Sequence, residues 1–235
     1  MISKERVDFS GIDFHGGESI LIDKPFGWSS FKVVYEIRNA IGWLKVGHAG
    51  TLDPFATGLL ILCTGKKTKS ISDYQDLEKT YSGVITLGKA TSSMDLETEI
   101  LCEKPFTHIS DEQIYQLKEE FTGNIMQVPP MFSAIKQNGK NLYKLAREGK
   151  TVERQPREIN VTDFNITKIE LPDIHFEISC SKGTYLRVIA NDFGEKLGCG
   201  GVLSSLQRSK IGHYSVENAL SVELFKERLK KSILN

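Results

Sequence analysis

The chain has 235 residues, 40% hydrophobic and 26% charged, with 30 basic and 30 acidic side chains and no formal net charge. That composition fits an ordinary globular protein and excludes fibrous and low-complexity polymers. It also lacks the overall basic excess that many nucleic-acid binders carry, so any such role must rest on local charge.

The longest apolar run, Leu59–Cys63, is five residues long and suits a buried strand; a membrane-spanning helix needs roughly 20. Met1 to Ser10 mixes Lys, Glu, Arg and Asp with no apolar signal core, so a cytoplasmic location is expected. Cys63, Cys102, Cys180 and Cys199 lie far apart, form no CxxC pair and have no zinc-ligand spacing with the scattered histidines. Free buried thiols, no metal and no cofactor are expected.

Taken in chain order, residues 1–17 read as an irregular lead-in, and Ser19–Asp23 as a short strand stopped by Lys24-Pro25. Ser29 and Ser30 can cap a helix that carries Phe31, Val34, Tyr35, Arg38 and Ile41 at helical spacing and ends at Gly42. Lys45–Gly58 reads as loop, Leu59–Thr64 as a buried strand and Lys67–Asp76 as a helix. Lys79–Gly88 alternates and is rich in strand formers, with Glu97–Glu103 as its expected partner. Ser110-x-x-Gln113 is a capping box for a helix that stops at Gly123. Ile125–Gly139 reads as a long irregular segment, Asn141–Glu148 as a short helix, and Val161–Glu170 and Ile174–Cys180 as strands. Tyr185–Leu197 is expected to be helical, Val202–Ile211 a strand, and Ser215–Leu234 a helix or helix pair. This mixed order predicts an α+β protein, with a mixed, mostly antiparallel central β-sheet flanked by helices.

The densest chemistry lies in Gly47-His48-Ala49-Gly50-Thr51-Leu52-Asp53-Pro54-Phe55-Ala56-Thr57-Gly58. Pro54 restricts Asp53 to extended conformations, so its carboxylate is held in a defined pose just before a buried strand. Asp-Pro among glycines is also common turn material, and the segment alone does not decide between the two readings. A lone carboxylate can serve as nucleophile or as electrostatic stabiliser beside a glycosidic carbon, whereas ordinary glycosidases need a second. Asp95 and Asp192 are only loose candidates for that second group. Tyr81 offers a flat face for a base, and Arg187 can pair bidentately with a carboxylate. From Lys136 to Arg157 there are seven basic and two acidic residues, a local charge of +5.

Together these segments closely resemble the tRNA pseudouridine synthase B (TruB) family. The likeness runs through Gly47–Leu60, Thr68-Lys69, Lys79-Thr80-Tyr81 and Val128–Lys140, then Leu142–Gly149, Ser181–Arg187, Leu197–Gly200 and Leu206-x-Arg208. It covers roughly residues 18 to 212 in order. The resemblance implies the pseudouridine-synthase fold and an isomerase that converts the T-loop uridine of tRNA, position 55 in tRNA numbering, into pseudouridine after flipping the base. It implies that Asp53 is the catalytic aspartate, that Tyr81 stacks on the target base, and that Arg187 pairs with Asp53. It implies that Lys69, Tyr185 and Leu206 line the pocket and that His48 helps to flip nucleotides. Lys24, Lys136, Lys140, Arg147 and Arg154 are expected RNA contacts, the last four in an inserted basic, thumb-like segment at about 124–157.

On this reading, residues 18–212 are the catalytic domain and 213–235 a helical tail, with no room for the C-terminal PUA domain that many bacterial members carry. Val202 stands where a polar or aromatic residue is expected. The expected partner is the T arm of tRNA, bound by a monomer with no metal and no membrane. Two other classes stay open at this stage: an RNA-binding, tRNA-folding chaperone, and a carboxylate-dependent hydrolase.

Overall fold

The computed structural model describes residues 1–133, 135–137 and 139–234, with the side chains of all of these except Lys136, Gln137, Ile233 and Leu234. The chain forms two compact units: Met1–Ser82 with Leu206–Asn235, and Gly83–Ser205.

The first unit begins with β1 (Ser19–Lys24), α1 (Ser30–Ala40), β2 (Val46–His48) and β3 (Thr57–Thr64). A 3-10 turn over Gly65–Ser70 and α2 (Ile71–Gln75) lead into β4 (Lys79–Leu87). Helix α1 starts where Ser29 accepts a hydrogen bond from the Lys32 N–H, satisfying a backbone donor that the first turn leaves open. It ends at Ala40, with Gly42 and Trp43 both at positive φ. Its buried face is Ser30, Val33, Val34 and Ile37. Phe31 and Tyr35, expected on the apolar stripe, face solvent instead.

Strand β3 is apolar from Leu59 to Cys63 because both of its faces are covered. One face packs Leu60 and Leu62 with Ile20, Val33, Ile37, Leu220 and Phe225. The other packs Leu59 and Ile61 with Leu21, Ala49, Ile211 and Ala219. β1 pairs antiparallel with β3 in the register Leu21↔Ile61, and β2 pairs with it in the register His48↔Leu62. The stretch expected to be loop over residues 45–58 therefore holds a short strand. The lead-in is irregular yet tied down: Ile2 bridges Ile20, and Ile2 and Phe9 are buried.

In the second unit, β5 (Lys89–Thr91) pairs with β6 (Ile100–Glu103) as a separate two-stranded sheet. The segment around 97–103 was expected beside β4. Gly88, at φ +83, turns the chain out of β4 first, so β5 takes that partner. Helix α3 (Asp111–Lys118) has its capping box intact between Ser110 and Gln113.

β7 (Gly123–Gln127) occupies part of the stretch expected to be irregular and pairs with β10 (Arg157–Glu170) in the register Ile159↔Ile125. Between those two strands lie β8 (Lys136–Gln137), β9 (Lys140–Asn141) and α4 (Leu142–Arg147). The basic segment therefore leaves and returns to one strand pair. β10 continues through a hairpin into β11 (Asp173–Cys180), followed by α5 (Leu186–Lys196) and β12 (Gly201–Ile211). Phe164, Phe176, Phe193 and Phe121 pack here in tilted and edge-on contacts with centroid separations of 5.4–6.1 Å. β13 (Tyr214–Ser215) and α6 (Val222–Leu234) complete the chain.

In the first unit β3 lies between antiparallel β1 and parallel β12, and in the second β10 lies antiparallel between β11 and β7. This is the α+β class expected. Among the described residues no helix is long and apolar enough to cross a membrane. Cys63, Cys180 and Cys199 are buried as expected, but Cys102 is exposed on β6.

Candidate active site

Asp53 lies half-buried in the loop between β2 and β3. Its position is set by its neighbours. The Leu52 N–H donates to Ser30 Oγ at 2.8 Å, and that hydroxyl donates to Leu52 O at 3.1 Å. Pro54 O accepts from the Gly27 N–H at 2.8 Å and from Lys24 Nζ at 3.2 Å. Asp53 O accepts from the Ala56 N–H at 3.1 Å, closing a turn. The residue before the carboxylate and the residue after it are thus both tied to the β1–α1 connection.

Lys24 was expected among the RNA contacts. It is fully buried, and its ammonium donates to Pro25 O, Trp28 O and Pro54 O at 2.6–3.2 Å. Burying an ammonium costs heavily unless it is hydrogen-bonded, and these carbonyls meet that need. It acts as an internal tie behind the Asp53 loop and is not presented to a phosphate.

A second support comes from β12. Arg208 is almost wholly buried, and it donates from Nε to Leu59 O at 2.7 Å and from Nη2 to Gly50 O at 3.3 Å. Gly58 sits opposite it at φ +102, where a Cβ would lie 2.4 Å from Arg208 O. Only glycine permits that approach. Arg208 stood out in the sequence only as part of a motif. A finer signal was available: Leu206 and Arg208 are two apart on a strand, so they share a face, and both are buried.

His48 is on β2, with Nδ1 buried and unbonded. Burial holds its imidazole below the usual histidine range; the Gly50 backbone opposes this and the Arg208 guanidinium reinforces it. Tyr81 is buried near the start of β4, beside Thr80, whose carbonyl accepts from Ser209 Oγ at 3.2 Å. Lys69 is exposed in the 3-10 turn, and Leu206 is buried on β12. Val202 is a fully buried core residue of the same strand.

In the other unit, Tyr185 caps α5, and the buried Gln127 side chain holds its backbone on both sides. Gln127 Oε1 accepts from the Tyr185 N–H at 2.9 Å, and Nε2 donates to Tyr185 O at 3.1 Å. Arg187 is buried and donates to Ser93 O at 3.0 Å and Phe132 O at 2.8 Å, with Nε 3.6 Å from Asp95 Oδ2. Asp95, 1% exposed, also accepts from Ser93 Oγ and the Glu97 N–H. In the sequence Asp95 is only a loose second carboxylate. Its pairing with Arg187 joins segments distant in sequence, and no local motif marks it.

In the basic segment, Lys140 and Arg147 are exposed, and Arg147 lies 5.9 Å from the Tyr143 ring. Arg154 is half-buried, with Nε unbonded. Lys136 is in β8, but its side chain falls outside the described residues, as do motif residues Ala134 and Asn138. Among the described residues no three His, Cys, Asp or Glu side chains are grouped to hold a metal.

The sequence profile of the TruB family pseudouridylate synthase N-terminal domain matches residues 38–186. The chain belongs to the TruB family. It is 48% identical over 220 residues to the tRNA pseudouridine synthase B of Flavobacterium johnsoniae, covering 91% of this chain and 96% of that one. It is 49% identical over 221 residues to the protein of the same name from Chloroherpeton thalassium, covering 92% of each. With the counterpart from Geotalea uraniireducens the identity is 45%, and the match spans 68% of that longer chain. Among solved structures, a Cbf5-Nop10-Gar1 complex aligns with a TM-score of 0.68 at 25% identity, over 94% of this chain and 62% of that one. An H/ACA RNP bound to a substrate RNA containing 2'-deoxyuridine has the same TM-score at 23% identity, over 92% and 55%, and shows the shared fold. The TruB segment takes in Asp53 and Tyr81 and ends one residue before Arg187.

Proposed function

We propose that this TruB-family chain isomerises the T-loop uridine of tRNA, position 55 in tRNA numbering, to pseudouridine, with Asp53 as the catalytic carboxylate. The observation that carries the reading is Asp53 on a loop held at Leu52 and Pro54, inside a family match that covers most of the chain. The reaction breaks the N1–C1′ bond, turns the uracil, and forms a C5–C1′ bond. The C5 proton leaves and N1 gains one, so atoms and electrons balance without an oxidant or co-substrate. An anionic carboxylate at C1′ stabilises the electron-deficient sugar as the base departs and can bond to it as a nucleophile.

The remaining roles rest on the resemblance. Tyr81 stacks on the uracil and takes the C5 proton, and the resemblance makes Arg187 the partner of Asp53. His48 helps to extrude the base, a step that costs a few kcal/mol, of which stacking returns about 1–3 kcal/mol. Lys69, Tyr185 and Leu206 line the pocket, while Lys136, Lys140, Arg147 and Arg154 hold the T-arm backbone. The protein works as a cytoplasmic monomer.

The test uses an unmodified tRNA transcript, carbodiimide labelling and primer extension. The wild type gives one new stop at the T-loop uridine. Asp53→Asn gives none, with tRNA binding retained. A stop that survives Asp53→Asn sinks the assignment of Asp53, and the absence of any stop with tRNA bound moves the protein to the chaperone class.

A further inference from the structure

Helix α1 turns an aromatic face to solvent. Phe31 and Tyr35, one helical turn apart, are 70% and 48% exposed. Trp43, just past the helix end, is 52% exposed and meets the Tyr35 ring edge-on at 5.4 Å. Trp43 is a residue with a Cβ held at φ 63, where its N–H donates to Arg38 O at 2.7 Å. Exposed rings in a row are unusual on a surface that has no partner.

Cations are interleaved with these rings. Lys32 Nζ sits 4.1 Å from the Trp28 ring centroid, and the Arg38 guanidinium 5.7 Å from that of Trp43. Neither Lys32, Arg38 nor the exposed Lys45 has a carboxylate partner among the described residues. The one acid on the helix, Glu36, is paired with Lys226. The face is therefore both aromatic and net positive, although the whole chain is neutral.

Its position matters as much as its chemistry. Ser30, in the first turn of α1, holds Leu52, and Gly27 holds Pro54, the two residues that flank Asp53. The aromatic face thus starts beside the Asp53 loop and runs along a helix of 11 residues, about 16 Å.

We propose that the outer face of α1 is an RNA-binding surface, taking an unpaired stretch of the substrate tRNA next to the nucleotide at Asp53. Bases stack on Phe31, Tyr35 and Trp43, and phosphates meet Lys32, Arg38 and Lys45. A polyanion with flat bases fits flat rings and unpaired cations better than an apolar peptide does. This inference rests on the tRNA-modifying reading above.

The test measures binding and catalysis separately on unmodified tRNA. Phe31→Ala/Tyr35→Ala removes two exposed rings, and an unchanged circular dichroism melt verifies the fold. The expected result is a Kd for tRNA raised on the order of tenfold. Lys32→Gln/Lys45→Gln is expected to shrink the slope of log K against log salt by about 0.7 per lysine. An unchanged Kd and an unchanged slope overturn the proposal. So does a ring variant that alters sedimentation but not tRNA affinity, which makes the face a contact between copies of the chain. If the wild type yields no pseudouridine while the ring variant still weakens tRNA binding, the catalytic reading fails and this surface stands. If pseudouridine forms and the variants bind as the wild type does, the surface fails and the catalytic reading stands.

Discussion

Gly58 shows how much of the Asp53 loop hangs on one missing methyl group. Its φ of +102 and the 2.4 Å approach of Arg208 O leave no room for a Cβ. Gly58→Ala is expected to lose about 3 kcal/mol of stability, through strain and forced separation of β3 from β12. Urea unfolding measures the loss, and an unaltered midpoint would contradict the close approach. His48 supplies a pH signature. Its folded pKa lies below the ordinary value of 6.5, so the unfolded chain takes up the proton first as the pH falls. Its contribution to stability is therefore intact above pH 6.5 and is lost progressively below it. Denaturant midpoints measured at descending pH should show this decline in the wild type and a weaker one in His48→Phe. The sequence singled out Asp53 because Asp-Pro in a glycine-rich run is a local signal, and it singled out His48 only through the family resemblance. It misplaced Lys24, because nothing in its neighbourhood reveals that Pro25, Trp28 and Pro54 turn their carbonyls toward it.

Elements whose signals are local came out as expected. The capping box at Ser110 and Gln113 opens α3, and both of its reciprocal hydrogen bonds are present. Ser110→Ala should cost about 1 kcal/mol of stability, read from thermal or urea unfolding, and leave pseudouridine formation unchanged. The strands Leu59–Thr64 and Val161–Glu170 were legible from apolar runs and alternation. Pairing was less so. The stretch around 97–103 joins β5 rather than β4, because partner choice depends on where Gly88 turns the chain. α1 illustrates the same gap: a period of 3.6 residues places Phe31 and Tyr35 near Val34, but which side meets the core is set by β1, β3 and α6.

For the molecule as a whole, zero net charge conceals a +5 stretch between Lys136 and Arg157. If this segment grips tRNA phosphates as proposed, Lys140→Gln/Arg147→Gln should weaken binding of all tRNAs alike. It should also reduce the salt slope by about 1.4, close to 0.7 for each phosphate left without its cation. Filter binding from low to high salt reads both effects, and an unchanged slope would mean that these two side chains meet no phosphate. By itself the sequence determined the fold class, most of the order of elements and the family, and it singled out Asp53 as the candidate carboxylate, since each is written in patterns a few residues to a few dozen long. Only the tertiary structure decided which groups hold that aspartate's loop, that Arg187 meets Asp95, and that the rings of α1 face solvent. Those facts depend on residues far apart in the chain meeting in space, and one sequence carries no local mark of such a meeting.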